Sequence, residues 1–415
     1  MANRPPLRCW WDGVHVADIE QHKQPWNLRC RYTGEAQDRW PIGTPLLSCS
    51  LPVGSRPVDA TNFVRGVLPE GRHLQAAAAI AGVSTNSSFD LLKRFGRDIA
   101  GAVIVTSEDE GPEPRPGAVE PYSDDDLDRE VATLGDDNPL GLHPDSELSI
   151  AGMQNKLLLV EFDGGWGRPV HGYPSTHILK IDGDRYPGLV RAEAECLTLA
   201  YAVGITDAPP RIERLGGRDC IIVARYDRHL ADTGQIVRTH QEDACQALDV
   251  DISAHHNRGK YEAHGGPTLT QIAGLLDVHS DDRDHELEQL ARLVTFTAAI
   301  GNADLHGKNI SLLHDDNGRI SLAPAYDTVP TMLWPNLRDA SAVAINGTTN
   351  FANITIDTIA AEAHTWGLDH ERVQAVAADT IDAIIRALPG TIADPDLAAA
   401  ITRRTAILSP PTQVI

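Results

Sequence analysis

Three oxygen-bearing side chains in the C-terminal half of the sequence could meet around a divalent cation. Asp304 and Asn309 are five residues apart, and Asp327 follows them beyond a turn signal at Asn317-Gly318. Carboxylate and amide oxygens are the ligands that Mg²⁺ prefers in proteins. Because a hairpin at the turn would return the chain towards Asn309, we predict that Asn309 and Asp327 bind magnesium.

The spacing from Asp304 to Asn309 indicates phosphoryl transfer. In protein kinases the same spacing places an aspartate that orients the acceptor hydroxyl and an asparagine that helps to hold magnesium. The reaction needs the acceptor, the γ-phosphate and the metal in line, and little covalent help from the protein. Because Asp and Asn are also common turn residues, the spacing alone does not separate a site from a loop.

Two upstream elements could contact phosphate groups. In the segment S-I-A-G-M-Q-N-K at residues 149–156, small residues let backbone N–H groups approach phosphate oxygens, and Lys156 adds a charge at the head of a strand. A turn that enters a strand explains the small residues equally well. Lys180 ends the apolar run H-I-L-K, which would point its ammonium group into a cleft, with Glu193 on the next helix as a candidate partner.

Taken together and in order, these motifs resemble the HipA-like serine/threonine kinase toxins of bacterial toxin–antitoxin systems. The matching blocks are S-I-A-G-M-Q-N-K (149–156), H-I-L-K (177–180), V-A-R-Y-D-R (223–228), H-Q-E-D-A-C-Q-A-L (240–248), G-N-A-D-L-H-G-K-N (301–309) and L-A-P-A-Y-D (322–327). P-L-L-S-C-S-L-P at 45–52 and L-P-E-G at 68–71 extend the resemblance to the N-terminal part, so it covers nearly the whole chain. The sequence departs from the family at Met153, where a small residue is usual, and at Ala192, where Asn is usual.

The resemblance implies a site for ATP and Mg²⁺ in which Asp304 is the catalytic aspartate and Asn309 and Asp327 bind the metal. The implied ATP-binding residues are Ala151, Gly152, Met153, Gln154, Asn155 and Lys156 in the phosphate loop, Lys180 on the phosphates, Ala224, Arg225 and Tyr226 in the adenine hinge, Asp227 near the ribose, and His306, Lys308, Asn309, Tyr326 and Asp327 in the C-terminal blocks. Ser149 matches the family's autophosphorylated serine. A phosphoserine there, with a charge of about −1.5 to −2, would repel ATP phosphates and switch the kinase off.

Several polar residues inside the matching blocks are predicted to be structural. Histidine in a loop is more often a hydrogen-bonding residue than a proton shuttle, so neither His240 nor His306 is assigned a proton-transfer role. Gln241, Glu242 and Asp243 are expected to support the site or cap a helix.

Composition limits the class of protein. The 415 residues are 42% hydrophobic and 23% charged, which is ordinary for a globular chain with a core. The net charge of −22 disfavours direct binding to a phosphate backbone. Six scattered cysteines without a C-x-x-C pair predict free thiols and neither a zinc site nor a disulfide framework. No secretory signal or membrane-length apolar stretch is found, so we expect a cytoplasmic protein that does not bind a membrane.

The predicted fold class is α+β, a two-lobed protein-kinase-like fold with a small N-terminal α/β subdomain and a helical C-terminal lobe. A turn signal at Asp12-Gly13 predicts a hairpin, and further strand patterns precede residue 108. An Asp-, Glu-, Pro- and Gly-rich connection covers 107–121, and a Gly-rich turn is predicted at 164–167. Strand patterns at 156–162, 176–182 and 220–225 surround one predicted helix at 190–203, and helical patterns dominate after Arg228. The predicted domains are 1–108, 109–235 and 236–415.

The leading interpretation is a serine/threonine protein kinase that arrests growth and is neutralised by an antitoxin. Family resemblance implies a HipB-like helix-turn-helix antitoxin, DNA contact only through that partner, and a protein substrate among the aminoacyl-tRNA synthetases, glutamyl-tRNA synthetase in particular. Two alternatives remain open at this point. A small-molecule kinase of the aminoglycoside phosphotransferase type carries a similar D-x-x-x-x-N loop, and a non-catalytic antitoxin-bound corepressor could keep the fold.

Overall fold

The computed structural model describes residues 4–24, 26–107, 109–113, 119–135, 138–147, 154–162, 164–183, 185–334, 337 and 339–409. The strands are β1 (Leu7–Trp11), β2 (Val14–Gln21), β3 (Leu28–Tyr32), β4 (Val58–Asp59), β5 (Ile104–Thr106), β6 (Val119–Pro121), β7 (Lys156–Phe162), β8 (Gly165–Pro169), β9 (His177–Ile181), β10 (Arg211–Leu215), β11 (Arg218–Ala224), β12 (Arg228–Leu230), β13 (Ile236–Arg238), β14 (His240–Asp243), β15 (Ser311–His314), β16 (Ile320–Leu322), β17 (Ala340–Ile345) and β18 (Thr348–Asn350).

The α-helices are α1 (Gly34–Arg39), α2 (Thr61–Val67), α3 (Gly71–Ala81), α4 (Ser88–Phe95), α5 (Asp124–Thr133), α6 (Leu189–Ala202), α7 (Ala244–Ala247), α8 (Ala254–Asn257), α9 (Leu269–His279), α10 (Arg283–Ile300), α11 (Ile356–His364), α12 (His370–Thr391) and α13 (Pro395–Leu408). Short 3₁₀ helices cover Glu262–His264, Gly307–Asn309, Thr331–Leu333 and Phe351–Asn353. Within the described residues, no helix is both long and apolar enough to cross a membrane.

The chain folds into two compact units that do not follow simple sequence order. Unit 1 consists of Met1–Asp184, Ile212–Glu242 and His314–Gly318, and unit 2 of Arg185–Arg211, Asp243–Leu313 and Arg319–Ile415. The predicted domain boundaries near residues 108 and 235 stay predictions.

Unit 1 begins with a five-stranded sheet in the order β4-β3-β2-β1-β5. The predicted hairpin at Asp12-Gly13 is confirmed, since β1 and β2 pair antiparallel across it. Both turn residues have positive φ, 46° and 74°, as the tight turn that suits the twist of two strands requires. Alternate residues of β1, among them Leu7 and Trp11, are buried in a core that helix α4 completes through Phe95.

The second sheet of unit 1 has the order β10-β11-β9-β7-β8-β6. Leu157, Leu159 and Leu179 lie in a core shared with helix α5, which begins with a capping box between Ser123 and Asp126. Leu158 on the opposite face of β7 belongs to the core of the first sheet, so β7 is covered on both faces. The predicted Gly-rich turn at 164–167 is shorter than expected, because β8 begins at Gly165 and pairs with β7.

Below the second sheet, unit 1 buries a cluster of charged side chains. Asp98 accepts hydrogen bonds from the Ser175 hydroxyl at 2.6 Å and from Arg228 at 2.9 Å, and Asp227 accepts from both Arg225 and Arg228. The four charged side chains of this cluster are at most 2% exposed. Burial alone would raise the pKa of Asp98, but the nearby guanidinium charges outweigh it and lower the pKa to about 2.

Unit 2 is mainly helical and is organised around α10, which packs against α9, α11, α12 and α13. Asp282 caps the helix N-terminus, and Gly301 ends it in the left-handed conformation with φ 72°. The helical character predicted after Arg228 is therefore confirmed in this unit. The hairpin β17–β18 was not predicted, because two short strands carry too little periodicity to be recognised in sequence.

The buried charges of unit 1 generate a stability prediction. Asp98→Asn should lower the free energy of unfolding by ~3–5 kcal/mol, because it leaves buried guanidinium groups with one carboxylate fewer. Since folding lowers the pKa of Asp98, its wild-type contribution is fully present above pH ~4, the ordinary value of an aspartate, and is lost as the pH falls towards about 2. Urea unfolding at neutral and acidic pH measures both effects.

The matched control is Glu20→Gln, which breaks the exposed pair between Glu20 and Arg31 and should cost less than about 1 kcal/mol. An equal decrease in the free energy of unfolding in Asp98→Asn and Glu20→Gln would show that the buried cluster stabilises the protein no more than an exposed ion pair does.

Candidate active site

The loop at residues 301–309 leaves α10 and leads into β15, and two glycines allow its path. Gly301 has a positive φ, which a side chain would strain. A Cβ atom on Gly307 would lie 2.6 Å from the Pro267 ring and 2.8 Å from the Cys245 sulfur. The loop therefore passes too close to its neighbours for any larger residue at this position.

Asn302 connects the loop to the segment that carries Asp327. Its side-chain oxygen accepts a hydrogen bond from the Asp304 backbone N–H at 2.9 Å, and its side-chain nitrogen donates to the Asp327 carbonyl at 3.2 Å. The side-chain nitrogen of Asn309 donates to the Asp304 carbonyl at 2.9 Å. The structure thus brings Asp304, Asn309 and Asp327 into one hydrogen-bonded cluster.

The orientation of the Asn309 amide favours a metal-binding role for its oxygen. Because the nitrogen is used by the loop, the oxygen is the atom that can serve a Mg²⁺ ion. Asp327 has a left-handed backbone with φ 49°, which is uncommon outside glycine and clusters at functional sites. These two residues supply the oxygen donors expected of a magnesium site.

Asp304 is an accessible member of the loop, as is Asn309. Its side chain is 40% exposed, whereas that of its neighbour His306 is 4% exposed. The Tyr261 hydroxyl donates to Asp304 Oδ1 at 2.9 Å, and the Tyr261 ring meets the His306 ring edge-on. A carboxylate that is held by a phenol and still reaches solvent can accept a proton from, or orient, an incoming hydroxyl group.

Tyr326 positions the loop through its hydroxyl group. The oxygen lies 2.7 Å from the Lys308 carbonyl and 2.7 Å from the Ser311 hydroxyl. Tyr326 was predicted to contact ATP, but its hydroxyl group is used to tie the chain just before Asp327 to the end of the catalytic loop. We therefore give the hydroxyl group a positioning role.

The structure gives Lys308 a buried partner. Its ammonium group lies 2.7 Å from the Asp243 carboxylate, and its side chain is 4% exposed. Asp243 also caps α7 by accepting a hydrogen bond from the Gln246 backbone, as the sequence suggested for this stretch. This ion pair supports the loop, and the contact of Lys308 with ATP stays a prediction.

His306 is a buried residue of the loop, and its contact with ATP stays a prediction. Burial lowers its pKa well below the usual value, and the positive charges of Lys260 and Lys308 lower it further. The ring is therefore neutral near pH 7 and offers no positive charge to phosphate groups. Its Nδ1 atom is buried and has no hydrogen-bond partner within the described residues.

In unit 1, the predicted phosphate-side lysines are neighbours. Lys156 on β7 lies directly opposite Lys180 on β9 in the antiparallel register. Residues directly opposite each other project from the same face of a sheet, so both ammonium groups lie on the face opposite Leu157 and Leu179. Both lysines are at least 90% buried.

The described end of the phosphate loop is held by helix α3. Arg72 donates to the Asn155 side chain at 2.9 Å, and His73 Nε2 lies 2.8 Å from the Gln154 carbonyl. Burial, followed by the charge of Lys156, lowers the pKa of His73 to about 4, so this ring is neutral. Ser149, Ala151, Gly152 and Met153 lie outside the described residues.

Two side chains of the predicted hinge lie in the buried charge cluster of unit 1. They are Arg225 and Asp227, and the Asp227 carboxylate also accepts the Gly101 N–H at 2.8 Å. The Arg225 backbone is also used, because its N–H donates to the Thr176 carbonyl at 2.9 Å and its carbonyl accepts from the Arg228 N–H at 3.2 Å. Ala224 is exposed, and the Tyr226 hydroxyl donates to Gln241. The contacts of residues 224–227 with ATP stay predictions.

Two residues that position the site were not predicted from sequence. Asn302 stands in the G-N-A-D block, but nothing in its spacing shows that one amide bonds to both catalytic segments. Tyr261 is 43 residues before Asp304 and belongs to none of the matching blocks. The pairing of Lys180 with Glu193 stays a prediction.

The structural role of Lys308 can be tested by stability. Lys308→Met should lower the free energy of unfolding by ~3–5 kcal/mol, because it leaves the Asp243 carboxylate buried without its cation. The double variant Lys308→Met/Asp243→Asn should recover part of the loss, since asparagine still caps a helix. Urea unfolding of both variants gives the coupling energy, and wild-type stability of Lys308→Met would refute the assignment.

Comparison with known proteins places this geometry in a family. Residues 148–388 match the model of the HipA-like C-terminal domain, and residues 7–106 match that of the HipA N-terminal domain. A Sinorhizobium fredii protein named as the candidate kinase Y4mE is 34% identical over 397 residues, covering 93% of this chain and 92% of its own length. The serine/threonine-protein kinase toxin HipA of Shewanella oneidensis is 26% identical over 316 residues, covering 70% and 69%.

A solved structure supports the same relationship at the level of fold. The chain superposes with a TM-score of 0.79 on a structure of the Shewanella oneidensis HipA, HipB and operator DNA complex, at 22% identity and with 97% of this chain and 95% of that chain covered. The predicted α+β kinase-like fold is thereby confirmed. With two family models and a relative above 30% identity over most of its length, the chain belongs to the HipA family of kinases.

Proposed function

We propose that this protein is an ATP- and Mg²⁺-dependent serine/threonine kinase that phosphorylates a protein and acts as a growth-arresting toxin. The observation that carries the proposal is the Asn302-centred cluster, in which one amide holds the backbone of both Asp304 and Asp327. An accessible carboxylate and two oxygen donors for a cation are thereby kept in one small region, as phosphoryl transfer requires.

Each residue of the cluster has its own role in the proposed reaction. Asp304 accepts the proton of the substrate hydroxyl, and the Tyr261 hydroxyl orients its carboxylate through Oδ1. The Asn309 side-chain oxygen and the Asp327 carboxylate would hold Mg²⁺, which when bound neutralises charge on the transferred phosphoryl group. Asn302 and Tyr326 keep these atoms in register through their bonds to the backbone.

Lys156 and Lys180 supply the positive charge for the phosphates of ATP. Their opposite positions on neighbouring strands put both ammonium groups on one sheet face, where they would attract the negative charge of a polyphosphate. The exposed residue Ala224 would meet the adenine ring. These two lysines are the main phosphate ligands of the proposal.

The partners follow from family membership and charge. The Shewanella oneidensis relative was solved with HipB and operator DNA, and we propose a HipB-like helix-turn-helix antitoxin for this chain. A net charge of −22 repels DNA, so the antitoxin would make the DNA contact. We propose an aminoacyl-tRNA synthetase, glutamyl-tRNA synthetase in particular, as the protein substrate.

Asp304→Asn tests the kinase proposal directly. The variant should lose phosphoryl transfer from ATP by at least about 10²-fold, because the amide cannot accept the hydroxyl proton. Transfer is measured with radiolabelled ATP and Mg²⁺ on the chain itself and on glutamyl-tRNA synthetase.

The control is Asp316→Asn, an exposed hairpin carboxylate, which should keep wild-type activity. Expression in cells gives a second readout: the wild-type chain should arrest growth, co-expressed antitoxin should relieve the arrest, and Asp304→Asn should be harmless. Growth arrest by Asp304→Asn equal to wild type would contradict a catalytic toxin.

Ser149 tests the proposed self-inhibition. Incubation with ATP and Mg²⁺ should place a phosphate on Ser149, with activity towards the protein substrate declining as that phosphate accumulates, because a charge of about −1.5 to −2 there repels ATP. Ser149→Ala should keep its initial rate throughout the time course. Mass spectrometry of the tryptic peptide follows the modification, and a declining rate in Ser149→Ala would assign the inhibition to another cause.

A further inference from the structure

Unit 1 brings together three side chains that typically bind transition metals. Cys49 follows α1 in a short turn, Glu242 lies in β14, and His314 ends β15. One sulfur, one carboxylate oxygen and one ring nitrogen from these residues lie within 4.8 Å of one another. The side chains of Glu242 and His314 are fully buried, and Cys49 is half-buried.

The orientation of His314 is that of a metal ligand. Its Nδ1 atom lies 2.8 Å from the Pro45 carbonyl oxygen, which can only accept, so Nδ1 carries the proton. In a neutral ring, Nε2 then presents a lone pair, and it does so 3.0 Å from Glu242 Oε1. A lone pair facing a carboxylate needs a cation between them, either a proton or a metal ion. A backbone carbonyl on the other nitrogen is the usual outer partner of a metal-bound histidine.

Glu242 gives a second, independent indication. Its Oε1 atom accepts the Cys49 backbone N–H at 2.8 Å, whereas its Oε2 atom is buried and has no hydrogen-bond partner within the described part of the chain. A buried carboxylate oxygen without a partner is costly. Binding a cation through this oxygen would remove that cost.

The neighbouring His240 is excluded as a further ligand. Its ring lies 5.1 Å from that of His314, but Nε2 donates to the Leu47 carbonyl and Nδ1 accepts from the Ala102 N–H. Both nitrogens are therefore used. Three protein ligands remain, which leaves one position of a tetrahedron for water.

We propose that Cys49 Sγ, the Glu242 carboxylate and His314 Nε2 bind one Zn²⁺ ion. Zinc accepts mixed sulfur, nitrogen and oxygen ligands, whereas Mg²⁺ takes oxygen ligands almost alone. Zinc bonds of about 2.0–2.3 Å place tetrahedral ligand atoms roughly 3.3–3.6 Å apart, so the three atoms, which lie within 4.8 Å of one another, would adjust their positions on binding. On binding, Cys49 loses its thiol proton to solvent and becomes the thiolate ligand.

The ion would join segments that are far apart in sequence. Cys49 and Glu242 are 193 residues apart, and Glu242 and His314 are 72 residues apart. Closing such long loops favours the folded state of unit 1. The proposed role is structural, and the proposed kinase reaction uses none of the three residues.

Metal content of the full-length chain tests the proposal. After removal of metals with a chelator, equilibrium dialysis against Zn²⁺ should restore one tightly held zinc per chain by elemental mass spectrometry, whereas dialysis against Mg²⁺ alone should leave this site without metal. The thermal unfolding midpoint should rise with Zn²⁺. Cys49→Ser and Glu242→Gln should weaken zinc binding at least about tenfold, the effect of changing even an outer partner of a metal site.

A cobalt spectrum identifies the ligands, and Cys220→Ser is the matched control. The Cys220 sulfur lies against the carbonyls of Arg218 and Leu215, which a serine hydroxyl can also use, so this variant should fold. Co²⁺ should give a thiolate-to-metal charge-transfer band in the wild type and in Cys220→Ser, but not in Cys49→Ser. The proposal would be overturned if the wild type failed to hold zinc. It would also be overturned if Cys49→Ser bound zinc as tightly as the wild type and kept the charge-transfer band. In either case a proton would be the cation between Glu242 and His314.

Discussion

Hydrogen bonds to backbone atoms hold the catalytic loop in its shape, and the Asn302 amide makes the central pair. One side chain accepts from the Asp304 N–H and donates to the Asp327 carbonyl, so two segments separated by a hairpin are locked at one point. An amide suits this position because it is neutral and carries both a donor and an acceptor. Both bonds use backbone atoms of the two aspartates and not their carboxylates.

Burial distinguishes the charged side chains that stabilise the structure from the one that can contact a substrate. The Lys308 ammonium and the Asp243 carboxylate neutralise each other inside unit 2, and the Asp227 carboxylate is enclosed by arginines inside unit 1. A buried charge with a good partner is costly to disturb and contributes rigidity in place of ligand contact. The accessible carboxylate of Asp304 is different, because solvent and substrate can still reach it.

The parts of the fold that were predicted correctly depend on local patterns. The hairpin at Asp12-Gly13 follows from a turn that needs positive φ, strand β7 coincides with a predicted strand at 156–162, and helix α10 falls within the helical patterns predicted after Arg228. The charges of Lys308 and Asp227 have partners that the motif does not show. Lys308 pairs with Asp243, and Asp227 pairs with two arginines that also contact Asp98.

The sequence by itself determined the chemistry that is available. The spacing of Asp304 and Asn309, the oxygen donors for a cation and the lysines of two strands can all be recognised in the linear chain, because short-range geometry follows from residue type and spacing. Only the tertiary structure decided which side chains meet. Tyr261 contacts Asp304 across 43 residues, and Cys49 contacts Glu242 across 193 residues. Cys49 also lies near His314, which is more than 200 residues away in sequence. Such contacts arise from the packing of whole elements, which no local pattern encodes.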